Sequence, residues 1–140
     1  MWKNKQVFVS GGAGVIGTVL VEKLHDLGAK LYVGDLKPRP HWPGDIIYRQ
    51  GDLNFISQEE LRDFAPEYFF HLAATFERSE ETYDFWEENF HHNIRLSNHL
   101  MTCLKDSKTL QKVIFASSYL IYDTDLYLFD RPQKHGVRLK

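Results

Sequence analysis

Cysteine, net charge and long hydrophobic runs are all scarce in this sequence. Cys103 is the single cysteine among 140 residues, so the chain cannot form an intramolecular disulfide, and no Cys/His spacing suggests a zinc site. The formal net charge is only -2, and the basic residues are scattered among acids rather than gathered into a patch. We therefore expect neither a nucleic acid nor an anionic membrane surface as a partner.

Signals for export and for membrane insertion are missing as well. The first six residues, MWKNKQ, contain no apolar signal-peptide core. No apolar run approaches the roughly 20 residues that span a bilayer. With 43% hydrophobic and 26% charged residues, the composition is typical of a soluble globular protein, and we expect a cytoplasmic one.

What the sequence does contain is an alternation of short apolar runs with helical patterns. Strands are predicted at 7–9, 31–33, 46–48, 68–70 and 113–116, and helices at 15–27, 57–65 and 86–104. The second helix opens with a capping box, Ser57 with Glu60, and ends before Pro66. Prolines at 38, 40 and 43 predict an irregular connection over 36–44.

Each of the two longer helices is predicted to bury one apolar face. The face of the first comprises Val15, Ile16, Val19, Leu20, Leu24 and Leu27. The face of the second comprises Trp86, Phe90, Asn93, Ile94, Ser97, Leu100, Met101 and Leu104. Because the strands are continuously apolar and helices separate most of them, the pattern indicates an α/β fold with a parallel sheet covered on both faces.

The first predicted strand leads into a glycine-rich loop, GGAGVIG, at residues 11–17. It fits the pattern G-x-G-x-x-G at Gly12, Gly14 and Gly17, between a strand and a helix. A missing side chain at Gly14 would let a pyrophosphate approach the backbone, and one at Gly17 would let the helix pack closely on the sheet. The helix N-terminus adds free N–H groups and a positive dipole end. The alternative is a purely structural strand–helix turn.

Asp35 ends the second predicted strand, about 20 residues after the glycine loop, where an acid binds the ribose hydroxyls of a dinucleotide. A carboxylate there repels a 2′-phosphate, so NAD is favoured over NADP. Lys37 and Arg39 follow closely and keep NADP as the alternative.

These observations together predict a doubly wound, Rossmann-like sheet in the strand order 3-2-1-4-5, truncated after the fifth strand. The dinucleotide-binding domain is predicted over 1–122. The polar residues 123–140 are predicted to form a loop or tail leading to a C-terminal part that is missing from the chain.

Four further stretches extend the pattern: GDL at 51–53, HLAA at 71–74, Asn93 in the long helix, and FASSYLIYD at 115–123. Together with GGAGVIG they resemble the extended short-chain dehydrogenase/reductase family, the NAD-dependent nucleotide-sugar epimerases and dehydratases. The resemblance covers essentially the whole chain. It implies NAD as the cofactor, a nucleotide sugar as the substrate, and hydride transfer between sugar and nicotinamide.

The resemblance also implies roles for individual residues. Asp52 would hydrogen-bond the adenine amino group, with Leu53 beside the ring, and Asn93 would tie the long helix to the end of strand four. The cofactor-binding residues implied are Gly11, Gly12, Gly14, Val15, Ile16, Gly17, Asp35, Asp52, Leu53, Leu72, Ala73 and Ala74. As alternatives, Asp52 caps the turn after strand three and Asn93 is a satisfied core amide. His71 is interpreted as a structural residue.

Ser118 aligns with the family's active-site Ser/Thr, which hydrogen-bonds the reacting sugar oxygen. Adjacent strand-end residues point in different directions, so only one of Ser117 and Ser118 can face the nicotinamide, and we prefer Ser118. The loop from Thr75 to Arg78 would face the substrate. No metal site is predicted: His91, His92 and His99 lack i, i+4 spacing and a fitting carboxylate partner, which favours a solvated helix face.

The family's chemistry uses a tyrosine followed four residues later by a lysine, which lowers the tyrosine pKa. The sequence contains no such pair. Tyr127 with Arg131 comes nearest, but it lies only nine residues past Ser118, and arginine is a poor substitute for lysine. We therefore expect the N-terminal part of a longer enzyme, inactive by itself and prone to self-association at its fifth strand.

Two other functions remain open at this stage. The chain could be a non-catalytic dinucleotide-binding module that senses redox state, or another doubly wound enzyme such as a methyltransferase. Dimers of the family commonly form through the long helix after strand four and the helix after strand five. A homodimer is thus an expectation for a full-length protein and not for these 140 residues.

Overall fold

Five short strands form one parallel sheet in the computed structural model of the chain, which describes residues 1–75 and 83–118. The strands are β1 (Gln6–Ser10), β2 (Lys30–Asp35), β3 (Ile47–Gln50), β4 (Tyr68–His71) and β5 (Lys112–Phe115). Their order is β3-β2-β1-β4-β5 and every pairing is parallel, which confirms the predicted doubly wound sheet. β1 lies at the centre, with β2 on one side and β4 on the other.

Helices connect most of the strands. They are α1 (Val15–Asp26), α2 (Gln58–Phe64), α3 (Tyr83–Asn89) and α4 (Leu96–Leu104), with a short 3-10 turn at Leu53–Phe55 and a π-helical segment at Phe90–Arg95 that joins α3 to α4. The proline-containing stretch 36–44 contains no helix or strand, as predicted. None of the helices in the described residues has the length and apolar character needed to cross a lipid bilayer.

Both faces of the sheet are covered by a hydrophobic core, because alternate strand residues point to opposite faces. The face covered by α1 comprises Val7, Val9, Val21, Leu24, Ala29, Leu31, Val33, Trp42 and Ile46. The face covered by α2 and α4 comprises Phe8, Tyr32, Leu53, Ile56, Leu61, Phe69, Leu96, Leu100 and Leu104. This arrangement explains why the strands read as continuous apolar runs.

The buried face of α1 differs from the predicted one. Gly17, Val21 and Leu24 are buried, whereas Val15, Ile16 and Val19 are exposed. The difference arises because the helix is anchored through Gly17, where an added Cβ would lie 2.3 Å from the carbonyl oxygen of Gly11. A hydrophobicity pattern gives no weight to a glycine, although this glycine is where the helix backbone packs against the loop.

The face of the long helix also differs from the prediction. Leu96, Leu100 and Leu104 point into the core, which confirms the prediction for Leu100 and Leu104. Four other large apolar residues that the prediction placed inside are exposed: Trp86, Phe90, Ile94 and Met101. The π-helical segment widens one turn and so changes the phase of the helix, which a count based on 3.6 residues per turn does not anticipate.

The capping box at the start of α2 is half formed. The Ser57 side chain accepts the backbone N–H of Glu60 at 3.0 Å, as predicted. The Glu60 carboxylate does not return to Ser57 but bonds the Tyr32 hydroxyl and pairs with Arg49 at 3.2 Å. The predicted tail at 123–140, the pair Tyr127/Arg131 and the loop residues from Phe76 to Arg78 lie outside the described residues.

Candidate functional site

A cavity of about 370 Å³ opens at the carboxyl ends of the strands, next to β1. This is where the strand order reverses and where open α/β sheets bind their ligands. Eight of the predicted cofactor-binding residues line it: Gly11, Gly14, Asp35, Asp52, Leu53, Leu72, Ala73 and Ala74. The structure therefore brings four separate sequence motifs to one site.

The glycine loop forms the floor of the cavity. Gly11 has a positive φ of +75°, and a Cβ there would lie 2.5 Å from the backbone nitrogen of Ala73. Only glycine allows the ends of β1 and β4 to come this close. At Gly14 an added Cβ would meet only the Gly11 oxygen, at 3.3 Å, so the loop is open above this residue.

Gly14 is also the residue that precedes α1, and no side chain caps this helix. The N–H groups of the first turn have no partners within the helix, and the positive end of the helix dipole lies beside them. An anion at this position would receive both hydrogen bonds and a favourable field.

Asp35 is held at the edge of the cavity by two backbone groups. Its Oδ2 accepts the N–H of Ala13 at 2.9 Å, and its Oδ1 accepts the N–H of Lys37 at 3.0 Å. Each carboxylate oxygen retains capacity for a further hydrogen bond. Lys37 also lines the cavity, whereas the guanidinium of Arg39 donates to the Pro43 carbonyl oxygen at 2.5 Å.

Asp52 makes contacts with two different elements. Its Oδ1 accepts the backbone N–H of Asn54 at 2.8 Å, so the residue does cap the turn after β3. Its Oδ2 lies 2.6 Å from Nε2 of His91, on the π-helical segment. Burial alone would raise its pKa, but the hydrogen bonds from His91 and Asn54 outweigh burial and hold the pKa of the Asp52 carboxyl below its usual range.

Three helical residues that the sequence reasoning did not assign also line the cavity: Glu88, His92 and Leu96. These residues recur every four positions in the helix that follows the HLAA strand, so they lie on one helix face. That spacing is the signal in the sequence that could have identified them. The expectation of a solvated histidine face is wrong, because His91 bonds Asp52 and Nε2 of His99 lies 2.8 Å from the Ile56 carbonyl oxygen.

Asn93 joins the long helix to the end of β4, as predicted. Its Oδ1 accepts the N–H of Thr75 and its Nδ2 donates to the carbonyl oxygen of the same residue, both at 2.8 Å. Nδ2 also donates to Oδ1 of Asn89 at 2.6 Å. Thr75 lines the cavity, so this amide fixes one wall of it.

His71 lies beneath the cavity in a buried chain of hydrogen bonds. The Ser97 hydroxyl donates to the Asn93 carbonyl oxygen at 2.5 Å, so its oxygen accepts Nε2–H of His71 at 2.8 Å. Nδ1 of His71 then accepts the hydroxyl hydrogen of Ser10 at 2.6 Å. Burial lowers the pKa of His71 to about 4. A neutral, structural histidine fits these contacts.

The remaining predicted site residues do not line the cavity. Gly12 and Gly17 are buried beneath the loop. The side chains of Val15 and Ile16 are 90% and 70% exposed, so only their backbone groups could serve a ligand. Ser118 lies exposed beyond the end of β5 and outside the cavity lining, and Ser117 is exposed as well.

Comparisons with known proteins show the family to which the sequence is similar. The sequence matches the model of the NAD dependent epimerase/dehydratase family over residues 7–134. No curated protein matches the sequence. Among solved structures, MoeE5 in complex with UDP-glucuronic acid and NAD is 29% identical with a TM-score of 0.71, over 84% of this chain and 38% of that one.

Two other structures are similar. The Bordetella bronchiseptica enzyme WbmF in complex with NAD+ and UDP is 26% identical with a TM-score of 0.65, over 81% of this chain and 36% of that one. An epimerase from Methanothermobacter thermautotrophicus is 24% identical with a TM-score of 0.75, over 99% of this chain and 42% of that one, and shows the fold alone. The chain thus spans 36% to 42% of the length of these three proteins.

Proposed function

The chain belongs to the NAD-dependent epimerase/dehydratase family, and we propose that it is the NAD-binding part of a nucleotide-sugar epimerase or dehydratase. The observation that carries this proposal is the convergence of Gly14, Asp35 and Asp52 on one cavity at the centre of the sheet. The open space above Gly14 fits a pyrophosphate, since a Cβ would fill it. MoeE5 and WbmF, both similar to this chain, were solved with NAD.

Different residues of the cavity would bind different parts of NAD. The first turn of α1 would receive the pyrophosphate, and Asp35 would accept hydrogen bonds from the adenosine ribose hydroxyls. Asp52 and Leu53 would hold the adenine, while Leu72, Ala73 and Ala74 would line the path toward the nicotinamide. NAD, when bound, supplies the nicotinamide ring that accepts or returns a hydride.

We further propose that Ser118 hydrogen-bonds the reacting oxygen of the sugar. Since no tyrosine in the sequence is followed four residues later by lysine, the 140 residues lack the acid–base pair for the sugar hydroxyl. They are thus proposed to bind NAD without catalysing the transfer by themselves. The second candidate, a dinucleotide-binding module without catalysis, shares the NAD site.

Titration calorimetry with NAD and NADP tests the site. We expect NAD to bind more tightly than NADP, because the Asp35 carboxylate repels the 2′-phosphate. Asp35→Asn should reduce the difference between the NAD and NADP affinities. Asp45→Asn is the matched control, because Asp45 is exposed and pairs with His25 away from the cavity. Failure to bind either dinucleotide, or tighter binding of NADP, would contradict the proposal.

Incubation with NAD and UDP-glucose, followed by chromatographic analysis of the nucleotide sugar, tests the catalytic part, because an epimerase or dehydratase returns the hydride and accumulates no NADH. No sugar product is expected from the 140 residues. Turnover would show that the missing Tyr/Lys pair is not needed and that another group performs its role.

A further inference from the structure

Two histidines and a carboxylate meet at the adenine end of the cavity. Asp52, His91 and His92 each offer a ligand atom, and these three atoms lie within 4.8 Å of one another. His91 Nε2 is 2.6 Å from Asp52 Oδ2, and the two imidazole rings have centroids 4.8 Å apart with an interplanar angle of 87°. All three residues are half-buried.

The fold, and not the sequence spacing, creates this cluster. Asp52 follows β3, and the two histidines are consecutive residues of the π-helical segment, 39 positions further along. Consecutive side chains of an α-helix diverge strongly, and the wider π turn reduces that divergence. Such turns occur frequently at functional sites.

The three groups form a suitable donor set for a transition metal. Two imidazoles with one carboxylate are a known ligand combination for Zn²⁺, with metal–ligand distances of about 2.0–2.2 Å. Ligand atoms in a tetrahedral site are then about 3.4 Å apart. Small side-chain rotations would have to lengthen the 2.6 Å contact of His91 with Asp52 to reach this separation.

Asn54 supplies an independent observation. It is 8% exposed, and its Oδ1 has no hydrogen-bond partner among the described residues. Its Nδ2 donates to Asp52 Oδ1 at 3.0 Å and to the His91 carbonyl oxygen at 3.2 Å. Asn54 therefore orients two of the three ligands, as outer partners do in metal sites, and it carries an unpaired acceptor beside them.

The charge of the surrounding cavity also favours a cation. Among the described residues, three carboxylates line it, from Asp35, Asp52 and Glu88, against one ammonium group, from Lys37. A divalent cation would reduce this excess of negative charge.

We propose that Asp52, His91 and His92 bind a divalent transition metal such as zinc, and that the metal and the adenine of NAD exclude each other. The exclusion follows because both ligands need the Asp52 carboxylate. This second half rests on the proposed NAD site. The metal site itself does not depend on it.

Metal binding can be measured on the 140-residue protein without any nucleotide. Co²⁺ gives a visible absorption spectrum that reports its coordination, and Zn²⁺ affinity follows from competition with a chromophoric chelator. One equivalent should bind. Loss of a residue that only orients a metal ligand typically weakens metal affinity by about 10–100-fold. His91→Gln and His92→Gln remove ligands themselves, so each should weaken Zn²⁺ affinity by at least that factor.

His25→Gln is the matched control, because His25 also pairs with a carboxylate, Asp45, at 3.1 Å, but no second histidine of the described residues joins them. It should leave the affinity unchanged. Circular dichroism shows whether each variant is folded. If the His91→Gln protein is unfolded, the His92→Gln protein provides the test. Unchanged affinity in a folded His92→Gln protein overturns the metal site.

The exclusion is tested by repeating the Zn²⁺ titration at saturating NAD. A raised apparent dissociation constant supports it, and simultaneous binding of both ligands overturns it. Zinc binding by a protein that fails to bind NAD would reject the proposed function while leaving the metal site intact.

Discussion

At the scale of the residue, Gly14 and Gly17 lie three positions apart in one loop but have different surroundings. A Cβ at Gly17 would lie 2.3 Å from the Gly11 oxygen and 2.6 Å from the Gly12 Cα, which are backbone atoms that cannot rotate away. A Cβ at Gly14 would meet one atom, at 3.3 Å, and would otherwise project into open space. Gly17 is thus needed by the fold, whereas the open space at Gly14 is available to the proposed ligand.

Alanine substitutions should separate these two roles. We expect Gly17→Ala to lower the free energy of unfolding by about 1–3 kcal/mol, as overpacking typically does. Gly14→Ala should change it by less than about 1 kcal/mol, yet weaken NAD binding at least about tenfold. Urea denaturation and calorimetry measure the two quantities. A Gly14→Ala protein with unchanged NAD affinity would place the pyrophosphate elsewhere.

The sequence predicted this loop well because its requirements appear directly as glycines. A positive φ at Gly11 and close backbone approaches at Gly11 and Gly17 demand glycine, so they are visible in residue types alone. The contact of Asp52 with His91 was not visible, because it joins a strand end to a helix 39 positions away. Its geometry depends on how the π-helical segment lies over the sheet.

At the scale of the element, Asn93 determines where the long helix meets the sheet. Its amide pairs with both backbone groups of Thr75 and so replaces the strand partner that Thr75 lacks beyond the end of β4. A side chain of the helix therefore positions a backbone segment that lines the cavity.

We expect Asn93→Ala to destabilise the fold by about 1–3 kcal/mol, because it leaves partly buried backbone groups without partners. It should also weaken NAD binding, because Thr75 would no longer be fixed. Compared with Asn93→Ala, Asn93→Asp should regain the hydrogen bond from the Thr75 N–H but not the one to the Thr75 carbonyl oxygen. Asn98→Ala, an exposed position on α4, is the control. Thermal denaturation and calorimetry measure both effects, and equal behaviour of the two alanine variants would refute the role of Asn93.

Element types followed from the sequence, but helix faces did not. The existence of α4 and its contact with the core depend on leucine spacing, which is strongly periodic at Leu96, Leu100 and Leu104. The exposed residues Trp86, Phe90 and Ile94 were assigned inward because the π-helical turn shifts the phase. In α2, Glu60 was expected to complete the capping box, but Tyr32 and Arg49 compete for its carboxylate.

At the scale of the whole molecule, one buried group links the central strand of the sheet to a helix that covers it. His71 is 2% exposed and connects Ser10 of β1 to Ser97 of α4. Protonating it would place a charge in the core and remove the acceptor for the Ser10 hydroxyl. Global stability should therefore depend on the protonation state of this side chain.

The unfolded chain protonates His71 near pH 6.5, whereas the folded protein does so only near pH 4. Between these values unfolding takes up a proton, so the free energy of unfolding should fall as the pH falls from 6.5 to 4. At 1.36 kcal/mol per pKa unit the loss amounts to about 3 kcal/mol. Urea denaturation at several pH values measures it.

His71→Asn identifies the source of that dependence. The asparagine keeps an acceptor for Ser10 but does not titrate, so the slope through this window should flatten, whatever the variant's stability at pH 7. An unchanged slope would assign the dependence to other groups.

Cellular location and oligomeric state stay predictions.

The long helix carries two sets of residues on different faces. Trp86, Phe90 and Ile94 are exposed apolar residues spaced four apart. Glu88, His92 and Leu96, which line the cavity, are each two positions further along. The two sets therefore face opposite directions, so association through the exposed set would leave the cofactor site open.

The strand order also constrains the biosynthesis of the protein. β1 is made first, but one of its two neighbours, β4, ends at residue 71, and the close approach of Gly11 to Ala73 requires that neighbour. No pair of strands in the sheet is a local hairpin, so the nascent chain gains little from early pairing. A ribosome-bound chain that ends before residue 73 cannot form the cavity. The proposed NAD site therefore cannot form before residue 73 has been made, and until β4 exists the edge of β1 that it will cover stays unpaired.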